Sequence, residues 1–119
     1  MGFLRRPPTG VKPGAGDPDV ASVEQMRRDG ADPAVRHQTR HFIYVPGAKA
    51  AQALARSLRV PDRTVGVETS ARRGYWLVVV EQPMIVSPES IRALRRELEA
   101  AAGPFNGEYD RWQVDVAAT

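Results

Sequence analysis

The spacing of apolar residues changes several times along the chain, and each change predicts a new element. Three segments repeat apolar residues every three or four positions, which is typical of helices with one buried face. Residues that typically begin or end a helix flank each segment. They are Asp17-Pro18 and Gly30 for the first, Pro46-Gly47 and Pro61 for the second, and Ser87-Pro88 and Gly103-Pro104 for the third. The predicted buried faces are Val20, Val23 and Met26, then Ala50, Ala51, Leu54, Ala55 and Leu58, and finally Ile91, Leu94, Leu98 and Ala101.

The segments between these helices predict four strands. Residues 35–45 contain no helix-favouring run, and residues 64–69 alternate with valine. Residues 75–82 are apolar on both faces, so this third strand is expected at the centre of a sheet, and Pro83 is expected to end it. The last strand is expected to turn Trp112, Val114 and Val116 inward.

This order of elements predicts an α+β fold: a ferredoxin-like split βαβ sandwich with a four-stranded antiparallel sheet, two helices on one face and an additional N-terminal helix. The other face of the sheet is expected to be wet, or to be covered by the N-terminal helix or by a partner. Residues 1–16 are rich in Pro and Gly and predict a flexible N-terminal tail. Residues 17–119 are expected to form a single domain.

Composition narrows the class of protein. The formal net charge is +3, and arginine supplies most of the positive residues, with lysine only at Lys12 and Lys49. Because acids are scattered among the arginines, this charge is a weak signal for nucleic-acid binding. Cysteine is absent, which removes thiolate catalysis and thiolate metal sites. The longest apolar stretch, Trp76 to Val80, is too short to cross a bilayer, so a cytoplasmic protein without membrane contact is expected.

Neither the histidines nor the acids of the chain indicate an active site. His37 and His41 lie on a predicted strand, where a rise of about 3.3 Å per residue separates them by about 13 Å, too far to share one metal ion. Structural roles are therefore favoured for both. The acids Glu108, Asp110 and Asp115 come with no nucleophile and base pair. We expect a protein that is not an enzyme and that holds no cofactor or metal.

The arginines indicate an alternative function, which is nucleic-acid binding. Arg72 and Arg73 at the predicted hairpin tip, with Arg92 and Arg96 on the last helix, are candidates for contacts with nucleic-acid phosphates. The competing interpretation is a solvated surface, with Glu89, Arg92, Arg95, Arg96, Glu97 and Glu99 all available for the wet side of that helix. The solvated surface is favoured, because the sequence indicates no aromatic platform on which bases would stack.

Two separated segments resemble one protein family. The first is Gln25-Met26-Arg27-Arg28-Asp29-Gly30-Ala31-Asp32-Pro33, similar to an amphipathic helix that ends in Asp-Gly-x-Asp-Pro. The second is Phe105-Asn106-Gly107-Glu108-Tyr109-Asp110-Arg111-Trp112, similar to a Glu-Tyr-Asp-Gly-Trp ending with Arg111 where glycine is usual. Both resemble the type B regulators of ribonuclease E activity, and the resemblance covers about residues 20 to 116.

The resemblance implies a bacterial, ferredoxin-like regulator of RNA decay that binds a ribonuclease of the E/G type and restrains it by protein contact, without catalysis. The residues that carry it are Asp29, Gly30, Asp32, Pro33, Glu108, Tyr109, Asp110 and Trp112, which are the candidate partner-binding positions. A structural role competes with binding for the aromatic pair: Trp112 is expected to anchor the last strand in the core, and the Tyr109 hydroxyl to reach a partner or water.

Overall fold

The computed structural model describes residues 18–115, which form three α-helices and a four-stranded antiparallel sheet. The elements are α1 (Pro18–Arg28), β1 (Arg36–Pro46), α2 (Ala48–Leu58), β2 (Thr64–Thr69), β3 (Tyr75–Ile85), α3 (Pro88–Ala102), a short 3-10 helix (Gly103–Phe105) and β4 (Glu108–Asp115). The strand order in the sheet is β2-β3-β1-β4. This α+β architecture confirms the predicted fold. The predicted tail, the Asp17 cap and Val116 lie outside the described residues.

Local sequence signals set the ends of the helices. Ser87 caps α3, because its hydroxyl accepts a bond from the Ser90 backbone N–H at 3.0 Å while the Ser90 hydroxyl accepts one from the Ser87 N–H at 2.9 Å. At the end of α1, Gly30 adopts a φ of 94°, a left-handed conformation that few other residues tolerate. None of the helices in this described part of the chain has the length and hydrophobicity needed to span a membrane.

β3 runs past Pro83 to Ile85, so the prediction that this proline ends the strand was wrong. β2 pairs with β3 only as far as Glu81, and beyond that residue β3 pairs with β1 alone. Proline is tolerated where one side of a strand has no partner, because its missing N–H then breaks no ladder bond. The Pro83 carbonyl remains in use, since it accepts a bond from Arg36 Nη2 at 3.1 Å.

The helices cover one face of the sheet. The larger core cluster lies between the sheet and helices α2 and α3, and it includes Ile43, Val45, Leu54, Val78, Val80, Leu94, Leu98 and Ala102. A smaller cluster joins α1 to α3 and β4, with Val23, Met26, Ala31, Val86, Ile91, Trp112 and Val114. Ala102 is fully buried on α3, whereas the predicted Ala101 is only half-buried. Because α1 extends the helical layer on this side, the N-terminal helix does not cover the opposite sheet face.

Candidate functional site

The first motif segment forms the exit from α1 and the turn before β1. The Asp32 carboxylate accepts a bond from the Ala34 backbone N–H at 2.8 Å, and its carbonyl accepts one from the buried His37 Nε2 at 2.9 Å. Asp29 accepts a bond from the Gln25 side-chain amide one helical turn earlier, at 3.0 Å. Pro33 lies exposed in the turn. These contacts give Asp29, Gly30 and Asp32 a local structural account as a helix stop.

The second motif segment opens β4 and contains a β-bulge. Arg111 lies opposite Phe42, whereas Tyr109 lies opposite Ile43, so Asp110 is the extra residue on this strand. The bulge keeps Tyr109 and Trp112 on the side of the helices although they are three residues apart. Glu108 and Asp110 are exposed. The motif is thus divided, with its aromatic residues turned inward and its acids turned outward.

Trp112 is hydrogen-bonded to an ion pair between α1 and α3, in which Asp19 is buried and Arg95 is partly exposed. Its indole N–H donates to Asp19 Oδ1 at 3.0 Å, and Arg95 Nη2 donates to the same oxygen at 2.9 Å. Asp19 is only 1% exposed. The prediction that Arg95 belongs to the solvent side of its helix was therefore wrong: α1 packs against that side, and the Asp19 carboxylate needs a cation when it loses water. The sequence gives no signal of a pairing over this separation.

Tyr109 ends a chain of hydrogen bonds through the core. The Thr39 hydroxyl donates to the Gln82 carbonyl at 2.8 Å, so its oxygen accepts the bond from His41 Nε2 at 3.0 Å. The other ring nitrogen, Nδ1, is then the acceptor for the Tyr109 hydroxyl at 2.9 Å. Burial lowers the pKa of His41 from 6.5 to about 3, and the nearby charges of Arg63 and Arg95 act in the same direction.

These contacts bring the two motif segments together. Ala31, inside the first segment, belongs to the same core cluster as Trp112 of the second, and Tyr109 packs against that cluster. The side chains of Trp112 and Tyr109 therefore make core contacts and hydrogen bonds that agree with the structural role predicted for them. The Tyr109 hydroxyl bonds to His41 instead of reaching outward. Among residues 18–115, His, Asp and Glu side chains form no group of three or more that could hold a metal ion.

The structure separates the four candidate arginines. Arg72 lies over the Tyr75 ring, with its guanidinium carbon 3.7 Å from the ring centroid, and it donates to Glu108 Oε1 at 3.1 Å. This bond to Glu108 is the largest cause of the raised pKa of Arg72. Arg73 is its exposed neighbour in the hairpin turn. Arg92 and Arg96 lie on α3, in the layer behind the sheet, so the four residues do not form one basic patch.

The sheet face that points away from the helices has aromatic and charged residues whose grouping was not predicted from the sequence. We call it the open sheet face, and cross-strand pairing defines it through three rows: Gly66, Val79, Phe42 and Arg111; Glu68, Leu77, Tyr44 and Glu108; and Thr64, Glu81, Arg40 and Gln113. Tyr75, Arg36 and Asp115 share this face by strand alternation, and Arg72 of the turn lies over Tyr75 and Tyr44. The three aromatic side chains therefore lie on the two central strands.

Two arginines cover these rings. Besides Arg72 on Tyr75, the guanidinium carbon of Arg111 lies 4.1 Å from the Phe42 centroid, and Arg111 donates to Asp110 at 2.8 Å. The signal was present in the sequence, because Phe42 and Tyr44 are two residues apart on a predicted strand and must share one face. The three rings belong to strands that are distant in sequence, and Phe42 beneath Arg111 is only 7% exposed, so Tyr44 and Tyr75 are the partly exposed rings of this face.

Comparison with known families finds a match over most of the chain. A family model described as regulator of ribonuclease activity B matches residues 18–114. A comparison with curated proteins found no match. The matched range contains both motif segments, the contacts among Asp19, Arg95 and Trp112, and the open sheet face except Asp115.

Proposed function

This chain belongs to the regulator of ribonuclease activity B family, and from that membership we propose that it is a non-catalytic regulator that docks on a ribonuclease of the E/G type and slows its cleavage of RNA. The protein acts by contact, in the bacterial cytoplasm where such a ribonuclease meets its RNA. The observation that carries this proposal is the family match over residues 18–114, which includes both motif segments.

The chemistry of the motif agrees with a role in binding. Its Tyr109 hydroxyl is bound to His41, whose lowered pKa keeps the ring neutral near pH 7. Its outward acids pair with arginines, Glu108 with Arg72 and Asp110 with Arg111. A general base needs a reacting group within hydrogen-bond reach, and these carboxylates face guanidinium groups that cannot be deprotonated. The motif therefore supplies structure and surface.

The experiment is a binding and cleavage assay with the purified full-length chain and the E/G-type ribonuclease of the same organism. We expect the two proteins to co-migrate in size-exclusion chromatography at micromolar concentration. Addition of the chain should slow cleavage of a fluorescent single-stranded RNA, in proportion to the fraction of ribonuclease bound. Failure to form a complex at micromolar concentration would overturn the proposal.

A second candidate function is single-stranded RNA binding by the open sheet face. It is favoured by the half-buried rings of Tyr44 and Tyr75, because sheets of this topology bind RNA by stacking bases on aromatic residues of the central strands. Binding of this kind weakens steeply with salt. An oligouridine shift at 20 mM salt that is lost at 200 mM salt would support this function, whereas no shift at low salt would remove it.

A further inference from the structure

We propose that the exposed side of α2 is a contact surface for the phosphate backbone of RNA. The surface consists of Lys49 and Arg56 on the helix, Arg59 at its C-terminal cap and Arg73 of the adjacent hairpin turn, and we call it the α2 surface. This inference goes beyond the proposed function, because it gives the protein a contact with RNA itself, away from the open sheet face.

The helical pattern of α2 places its cations on one side. The buried side packs on the sheet through Ala51, Leu54, Ala55 and Leu58. On the other side, exposed polar residues follow at steps of three, four and three, which keeps them in one stripe: Lys49, Gln52, Arg56 and Arg59. With a rise of about 1.5 Å per residue, the stripe is about 15 Å long.

The hairpin turn between β2 and β3 adds a cation at the start of this stripe. The Gly47 backbone N–H, just before α2, donates to the Gly74 carbonyl at 3.3 Å. Arg73 directly precedes Gly74 and is exposed. The turn with Arg73 and the first turn of the helix with Lys49 are therefore neighbours.

Charge is distributed unevenly over residues 18–115. The open sheet face balances four arginines with four carboxylates, and α3 balances three arginines with three glutamates. The segment from Gly47 to Arg63, together with Arg73, carries five cations against the single carboxylate of Asp62. Of these five, Arg63 is neutralised by Glu97 of α3 at 3.0 Å. An excess of positive charge therefore lies at the α2 surface.

The cations of the α2 surface are available to a ligand. Each of them is exposed, and none forms an ion pair or a side-chain hydrogen bond with another residue of the range 18–115. Other arginines of this range are held by carboxylates, namely Arg40, Arg63, Arg72, Arg95 and Arg111. A ligand that binds the α2 surface has no internal ion pair to break.

The stability of the helix does not explain a cation at its start. α1 and α3 each have an acid in the first turn, Asp19 and Glu89, which complements the positive end of the helix dipole. α2 has no acid there and has Lys49 instead, while its cap Gly47 offers no side-chain acceptor. Lys49 is thus unfavourable for the isolated helix, and a bound anion reverses that effect.

The chemistry of the surface favours a phosphate backbone over a protein partner. Protein interfaces are built around a desolvated apolar or aromatic centre. The α2 surface has small side chains beside its charges, such as Ala48, Ala53 and Ser57. Phosphate contacts need no apolar centre, and guanidinium forks match phosphate oxygens. Such contacts carry no sequence information, so we expect weak binding that does not depend on the RNA sequence.

An amide chemical-shift titration locates the contact. Oligouridine of about twelve nucleotides is added to the isotope-labelled full-length chain at about 20 mM salt, and oligoglutamate of the same length is added to a second sample. We expect oligouridine to shift the amides of residues 47–59 and 73–74, while those of Tyr44 and Leu77 on the open sheet face stay in place. The logarithm of the binding constant should fall with the logarithm of salt with a slope of about −2.8, that is about −0.7 for each of four phosphates.

A matched pair of double variants tests which cations are used. Lys49→Gln with Arg56→Gln removes two charges from the α2 surface, and the control, Arg27→Gln with Arg28→Gln, removes two charges from exposed positions of α1. We expect the α2 variant to weaken oligouridine binding by about fivefold or more and to reduce the salt slope by about 1.4. The control should stay within about twofold of the wild type. Circular dichroism checks that each variant is folded.

The possible outcomes separate this inference from the proposed function. Equal weakening by the two double variants would assign binding to net charge alone and would overturn the inference. It is also overturned by an absence of shifts at low salt, by shifts confined to the open sheet face, or by oligoglutamate binding as strong as that of oligouridine. Each of these results leaves docking on the ribonuclease standing. If the wild type does not co-migrate with the ribonuclease but oligouridine binds the α2 surface, the proposed function fails and the inference stands.

Discussion

The His41 ring shows how single residues fix the centre of this domain. It is fully buried, and both of its nitrogens are used, Nε2 as donor to Thr39 and Nδ1 as acceptor from Tyr109. Thr39 passes the chain on to the Gln82 carbonyl of β3. These hydrogen bonds join β4, β1 and β3. Each bond has a defined donor and acceptor, and the role of each group is set by the bond that its neighbour makes. A buried ring of this kind is costly to disturb, because any unpaired nitrogen lacks water.

Tyr109→Phe removes one hydroxyl from this chain and leaves His41 Nδ1 without its donor. We expect the free energy of unfolding to fall by about 1–3 kcal/mol, the cost of a buried polar group that loses its partner. Urea denaturation followed by circular dichroism measures it. The matched control is Tyr75→Phe on the open sheet face, for which a change below about 0.5 kcal/mol is expected. Equal effects of the two variants would contradict the assigned bond.

The lowered pKa of His41 predicts a loss of stability in acid. The folded pKa of about 3 lies below the unfolded value of 6.5, so the unfolded chain binds the proton more readily between these two values. The contribution of His41 is therefore complete above pH 6.5 and is lost as the pH falls toward 3. Each unit of difference corresponds to about 1.4 kcal/mol of unfolding free energy.

The measurement is urea unfolding from pH 7 to pH 4.5 for the wild type and for His41→Gln, which keeps a donor and an acceptor but does not titrate. We expect the wild type to lose stability faster than the variant, by a slope difference of up to about 1.4 kcal/mol per pH unit below 6.5. Parallel slopes would contradict the lowered pKa, because they would mean that His41 binds its proton equally in the folded and the unfolded chain over this range.

The strand β4 depends on the tight connection that precedes it. Asn106 adopts a left-handed φ of 58°, and the Gly107 N–H donates to the Ala102 carbonyl at 3.0 Å. A Cβ on Gly107 would lie 2.9 Å from the Ala102 Cβ and 3.3 Å from Ile43 Cγ2. Glycine is therefore required here by close packing of the connection against α3 and β1. The bulge that follows sets the inward direction of Trp112.

Gly107→Ala is expected to destabilise the protein by about 1–3 kcal/mol, because the added methyl group meets a helix end and a core side chain with no room to move. Gly66→Ala is the control in β2, where the added methyl group meets nothing within 4 Å and the backbone needs no left-handed conformation. The control should leave stability unchanged or raise it slightly. Thermal unfolding of both variants checks the contrast, and a similar fall in both would refute the packing argument.

Residues 18–115, the part of the chain that the structure describes, are asymmetric across their sheet. All three helices, both core clusters and the His41 chain lie on one side, and the open sheet face lies on the other. One consequence is that two positions three residues apart on the central strand β3 differ in their access to solvent. Val80 is fully buried under the helices, whereas Leu77 points to the opposite side. Because cysteine is absent from the chain, single thiols can report this difference.

We expect Leu77→Cys to react with a thiol reagent in the native protein and Val80→Cys to be protected until the domain opens. The rates should differ by about tenfold or more, since core positions become accessible only through unfolding. Both thiols should react at the same rate in denaturant. Strong protection of the thiol at position 77 would mean that the open sheet face is covered in solution.

The fold follows largely from local signals along the chain, because apolar periodicity, Ser87, Gly30 and the paired prolines and glycines act on their own neighbourhoods. Such local signals could not predict contacts between residues that are distant in sequence. The Asp19–Arg95–Trp112 cluster, the direction of the His41 chain and the extension of β3 through Pro83 all depend on partners distant in sequence. The same holds for the open sheet face, whose rings and charges belong to four separate strands. Periodicity places a residue on a face, but only packing decides what that face meets.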